Sequence, residues 1–194
     1  MIRAFLALTP PPETAQTLAE LAERIGEGRP VPAANMHLTL AFLGDRRPAE
    51  LEELALDLDG RALPAFDLRI EGLGAFGPPA RPRSVHALAR PDPALRRLRA
   101  AARSAAAAIG APLAQERFVP HLTLARFSAS RPAGPGLARF LAQSAGLRLP
   151  PFRVAAFSLM RSTLSAAGAR YDEMARFALS PPAHGGEALG EDEG

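Results

Sequence analysis

Asn35-Met36-His37-Leu38-Thr39-Leu40-Ala41-Phe42-Leu43-Gly44 contains a tetrapeptide, His-Leu-Thr-Leu, that returns 84 residues later in Arg117-Phe118-Val119-Pro120-His121-Leu122-Thr123-Leu124-Ala125-Arg126. The chain has only four histidines, and two of them stand in this setting. One copy would be a weak signal; the repeat makes it usable and suggests a fold built from two similar halves. Both copies lie in apolar runs, at 36–43 and 118–125, that read as strands. Side chains i and i+2 of a strand share a face, so His and Thr point one way and the leucines point into a core.

Two such strands facing each other would bring two imidazoles and two hydroxyls into one cleft. An imidazole titrates near neutrality, so one ring can act as base while the other acts as acid. Threonine hydroxyls suit phosphate oxygens. This is equipment for metal-free phosphodiester chemistry, and it leaves open which histidine is acid and which is base. Arg126 lies five residues after His121, so strict alternation turns it away; it reaches the cleft only if the strand ends or bulges near Ala125.

Outward from the motifs, the same order of elements occurs twice. The first half, 2–73, reads as a strand at 2–8, a helix at 11–25 with Thr9 as N-cap, the motif strand, a helix at 48–58 and a strand at 66–73. The second half, 84–180, reads as a strand at 84–89 and a helix at 93–109, with Asp92 as N-cap and Gly110 past its end. The second motif strand, a helix at 135–144 and strands at 153–164 and 169–179 follow. The Gly/Pro-rich stretch 74–83 joins the halves. The expected organisation is one domain over 1–180 and a disordered acidic tail over 181–194.

Composition narrows the class. The 194 residues suffice for one core or for two small lobes sharing one. No apolar run approaches the roughly 20 residues of a spanning helix, and the apolar start is too short for a secretory signal. Cysteine is absent, which removes disulfides and thiolate metal sites and makes a cytoplasmic protein the simplest reading. All 23 basic residues are arginine, which with 20 prolines and abundant alanine points to a GC-rich coding sequence. A formal charge of +3 is no strong nucleic-acid signal.

With two His-x-Thr strands in a duplicated α/β frame, the chain resembles the two-histidine (2H) phosphoesterases, and among them the RNA 2′,3′-cyclic phosphodiesterases, also called 2′-5′ RNA ligases or LigT-like proteins. The two motif stretches quoted above resemble the family's two motifs. The ending Leu159-Met160-Arg161-Ser162…Gly168-Ala169-Arg170-Tyr171, closing on Phe177-Ala178-Leu179, resembles its last strands. The resemblance implies an α/β (α+β) bilobal fold, with two antiparallel sheets facing across a cleft, helices outside and a pseudo-two-fold. It implies opening of RNA 2′,3′-cyclic phosphate ends to 2′-phosphates, with cyclic nucleotides as further substrates, no cofactor and no metal. By position it makes His37 the proton donor and His121 the proton acceptor, puts Thr39 and Thr123 on the non-bridging oxygens, and places Arg126 at the phosphate. The expected state is a monomer. Reverse 2′-5′ ligation and a non-catalytic RNA-end-binding module are the alternatives.

Other readings compete. A catalytic zinc needs three protein ligands, and neither motif carries a carboxylate at ligand spacing. His86 has no Thr two residues on and reads as structural or at the cleft rim, and His184 as solvated in the tail. Arg96, Arg97, Arg99 and Arg103 read as the solvated face of a helix, with RNA contact as the minor alternative. Phe42, Phe118 and Phe127 read as core; of these, Phe127 shares the parity of His121 and is the candidate for meeting a nucleobase.

Overall fold

The structure, a computed structural model of the chain, describes residues 1–78, 81–115, 117–128, 133–165 and 168–181. His184 and the expected tail beyond 181 lie outside the described residues. In the first half, strand β1 (Ile2–Leu8) leads to helix α1 (Pro12–Glu23), a two-residue strand β2 (Arg29–Pro30) and a one-turn 3-10 helix at Ala33–Asn35. Motif strand β3 (Leu38–Arg46), helix α2 (Pro48–Asp59), β4 (Phe66–Leu68) and β5 (Ile70–Phe76) complete it. Then come β6 (Ser84–Ala89), α3 (Pro93–Ala108), motif strand β7 (His121–Arg126), α4 (Pro135–Gln143), β8 (Phe152–Val154), β9 (Ala156–Ser165) and β10 (Gly168–Ala178).

The strands pair antiparallel in two four-stranded sheets, in the orders β10-β9-β1-β3 and β2-β7-β6-β5, with β4 and β8 as a separate pair. The expected halves, 2–73 and 84–180, therefore do not map one to one onto lobes. Each sheet keeps the opening strand and motif strand of one half and takes outer strands from the other: β9 and β10 flank β1, while β2 and β5 flank the β7–β6 pair. The helices cross over as well, α3 lying against β3 and α1 against β7. One continuous apolar cluster, from Ala4 to Leu179, serves both sheets. A duplicated sequence yields an intertwined molecule because each two-strand unit leaves an edge that only the other half's strands cover.

Local chemistry accounts for most elements and for the departures. Asp92 caps α3 by accepting from the Leu95 backbone N–H at 2.9 Å, and Gly110 past its end takes φ +70°. Thr9 is not the cap of α1. The chain stays extended through Pro11, because a residue before proline is barred from helical geometry, and the helix opens at Pro12 without a side-chain cap. The single strand expected at 66–73 is two, broken at Arg69, with β4 pairing with β8 and β5 with β6. The strand expected at 153–164 breaks likewise at Ala155 into β8 and β9.

Candidate active site

His37 sits one residue before β3, on the exit of the 3-10 turn, and His121 is the first residue of β7. In both motifs Nδ1 lies 2.7 Å from the carbonyl oxygen two residues earlier, that of Asn35 for His37 and of Val119 for His121. A carbonyl only accepts, so each Nδ1 carries a proton in either charge state and each Nε2 is the atom that titrates. His37, His121, Thr39, Thr123 and Arg126 all line one cleft of about 800 Å³ between the two sheets. A space of this size suits a nucleotide.

Arg126 reaches that cleft through a β-bulge. Along β6–β7 the register jumps from Val85 opposite Ala125 to His86 opposite Thr123, leaving Leu124 as an extra, fully buried residue. The inserted residue reverses the side-chain alternation beyond it, and Arg126 returns to the face of Thr123. The first motif repeats the device: Leu6 faces Ala41 and Ala7 faces Thr39, with buried Leu40 extra. There the bulge delivers Phe42, the counterpart of Arg126, to the same cleft at 65% exposure. The same parity reversal corrects the expectation for Phe127, whose ring lies against Gly28 and packs on the core. Phe42 occupies the place foreseen for it.

The cleft holds both imidazoles below their ordinary pKa. For His37 burial is the largest cause; the Asn35 carbonyl partly offsets it, and the positive charges of Arg126 and His121 add to the lowering. For His121 the order is burial, the opposing Val119 carbonyl and then Arg126. Three residues that the motifs do not include pack on the rings. Tyr171 of β10 meets His37 edge-on, with ring centroids 4.9 Å apart, and lines the cleft; Phe5 packs on His37 at the same distance. His86 is buried behind His121, with ring centroids 4.8 Å apart, a packed position as in the structural reading and not one at the cleft rim. Its pKa is pushed down to about 4, mainly by burial, and its Nδ1 has no hydrogen-bond partner. Register explains why: His86 stands opposite Thr123 on one side and opposite Gly74 on the other, where a Cβ would lie 2.6 Å from its Nε2. No local motif marks either Tyr171 or His86, since both arrive by strand pairing. Asn35 ties the first motif to β10 by donating to the Ala169 carbonyl at 2.8 Å.

Among the described residues no three His, Cys, Asp or Glu side chains group as metal ligands, and no helix is long and apolar enough to cross a membrane. Residues 6–165 match the sequence model of the 2′-5′ RNA ligase superfamily. The chain is similar to the RNA 2′,3′-cyclic phosphodiesterase of Thermus thermophilus, at 35% identity over 92% of this chain and 90% of that protein. It is also similar to that of Escherichia coli, at 32% identity over 79% and 81%. Among solved structures, a Thermus thermophilus protein superposes with a TM-score of 0.76 at 30% identity, covering 93% of this chain and 100% of that one. Escherichia coli LigT in complex with 3′-AMP gives 0.74 at 29% identity, covering 92% and 98%.

Proposed function

The chain belongs to the 2′-5′ RNA ligase superfamily, and from that premise we infer that it is an RNA 2′,3′-cyclic phosphodiesterase that opens cyclic ends to 2′-phosphates. The observation that carries the mechanism is the pairing of two imidazoles in one cleft, each with Nδ1 committed to a carbonyl and Nε2 left to exchange a proton. Water attacks phosphorus from the His121 side, and His121 Nε2 takes its proton. The P–O3′ bond breaks as His37 Nε2 delivers a proton to the leaving O3′. Solvent then reprotonates His37 and accepts the proton from His121.

The hydroxyls of Thr39 and Thr123 donate to the non-bridging oxygens, and Arg126 offsets the negative charge that grows as water adds. A lowered pKa keeps His121 neutral, as a base must be. The anionic substrate counters Arg126 and so favours the protonated form of His37 that donation requires, against the burial that lowers its pKa. Acid, base and oxyanion donors are thus supplied without an ion, and Phe42 offers an exposed ring to a nucleobase. We further propose a monomer acting in the cytoplasm, since both His-x-Thr motifs and Arg126 belong to one chain that has no cysteine.

The test is incubation of a cyclic-ended oligonucleotide with the protein in EDTA, followed by location of the phosphate by NMR or with a 3′-specific phosphatase. A 2′-phosphate is expected, and His37→Ala or His121→Ala should each slow its formation at least about a hundredfold. Activity lost in EDTA and restored by zinc or manganese would refute the metal-free mechanism. A 3′-phosphate product would refute the placement of O3′ beside His37.

A further inference from the structure

Beyond His121 the cleft continues as a groove of about 260 Å³ between α3, residues 112–114 and 117–119, and the edge of β3. Thr39 and Phe42 are shared with the cleft, and Arg99, Arg103, Arg117 and Phe118 line the groove's walls. We propose that this groove binds the phosphodiester backbone of the nucleotides 5′ to the cyclic end, extending the site from a mononucleotide pocket to an RNA-strand track. The proposal rests on the phosphodiesterase reading for which end enters the cleft, but its cation set is separate from the groups that act on the cyclic phosphate.

Three observations carry it. First, two of the three guanidinium groups are positioned. Arg99 lies 4.2 Å above the Phe118 ring centroid, and Arg103 donates to the Ala114 carbonyl at 3.1 Å. Second, Arg99, Arg103 and Arg117 stand without a carboxylate partner among the described residues, whereas Arg61, Arg153 and Arg161 are held by carboxylates. Burial and the neighbouring charge of Arg103 depress the pKa of Arg99. Arg99 and Arg103 carry like charges close enough to act on one another, and an anion relieves that repulsion; the planar fork also suits bidentate contact with phosphate. Third, the place is right. A strand whose terminal phosphate lies between the two motifs must leave the cleft somewhere, and this groove opens beside His121 with exposed Phe42 at its mouth, the aromatic-plus-cation pairing that single strands favour.

The experiment measures binding of a fluorescein-labelled, 2′,3′-cyclic-ended hexanucleotide by anisotropy at several salt concentrations, alongside turnover of the same oligonucleotide and of 2′,3′-cyclic AMP. The wild type is compared with the triple variant Arg99→Gln/Arg103→Gln/Arg117→Gln. A control that alters exposed residues of the same helix is Arg96→Gln/Arg97→Gln. The triple variant should weaken hexanucleotide binding about tenfold or more and lower the slope of log affinity against log salt by about 0.7 for each phosphate no longer neutralised. Cyclic AMP turnover should change less than twofold, and the control should match the wild type.

Because Arg103 also holds the 112–115 segment, Arg99→Gln and Arg117→Gln are measured singly; each should give part of the effect at unchanged melting temperature. Unchanged hexanucleotide affinity and salt slope in the triple variant would overturn the proposal, as would equal loss on both substrates. Arginine-dependent binding of a 5′-hydroxyl strand without dependence for the cyclic-ended strand would overturn it too, assigning the groove to an acceptor strand. A wild type that binds through these arginines without turnover would defeat the phosphodiesterase reading while supporting the groove.

Discussion

At the residue scale, the proposed mechanism rests on two imidazoles, His37 and His121, whose surroundings lower both pKa values. Because kcat/KM follows the free enzyme, its bell-shaped pH profile belongs to the coupled pair and should centre below pH 6.5, the ordinary value for histidine. Arg126 contributes to the lowering of both, so Arg126→Gln should move the bell to higher pH while weakening substrate binding. A profile measured on 2′,3′-cyclic AMP, whose diester does not titrate in this range, decides it; a bell fixed in place would separate Arg126 from the pair. His86 gives a stability test. Its folded pKa of about 4 lies below the ordinary 6.5, so the unfolded chain binds the proton first. Its stabilising effect is complete above pH 6.5 and is lost as pH falls through 4. The melting temperature should drop across that window, and His86→Phe should shrink the drop. His37 and His121, shifted in the same direction, keep the remainder.

At the scale of elements, the paired bulges at Leu40 and Leu124 place Phe42 and Arg126, and the Gly74–His86 register pair seats the third histidine. Gly74→Ala would put a methyl group against the His86 ring, itself pressed on His121. Overpacking of this kind costs about 1–3 kcal/mol, a fall of several degrees in melting temperature for a chain of this size. The kcat should fall with it. Adding His86→Ala should restore much of the melting temperature, because the clash then has no partner; a double variant no more stable than Gly74→Ala would show that the ring is not what the methyl group meets. Asp92, Pro93 and Gly110 announced α3 in the sequence because capping is local. The 66–73 segment read as one strand because nothing local says that its two ends pair with different partners.

For the whole molecule, strand exchange makes the halves interdependent. Residues 1–78 alone would leave β1 without β9 and would carry β5 without β6; residues 79–194 would lack β1 and β3 altogether. Neither fragment should fold alone, and the two should recover structure and activity when co-expressed, as circular dichroism and turnover would show. An independently folded first half would refute this account. The two His-x-Thr motifs, most of the order of elements and the presence of titratable imidazoles beside hydroxyl donors were legible in the residues themselves, because alternation along a strand and capping of a helix act over a few positions. Which sheet each strand joins was decided only in three dimensions. So were the turn of Arg126 into the cleft, the exchange of Phe127 for Phe42, the packing of Tyr171 and His86 on the two motif imidazoles, and the gathering of Arg99, Arg103 and Arg117. Each depends on register and packing between segments far apart in the chain, where a single inserted residue reverses every side chain beyond it.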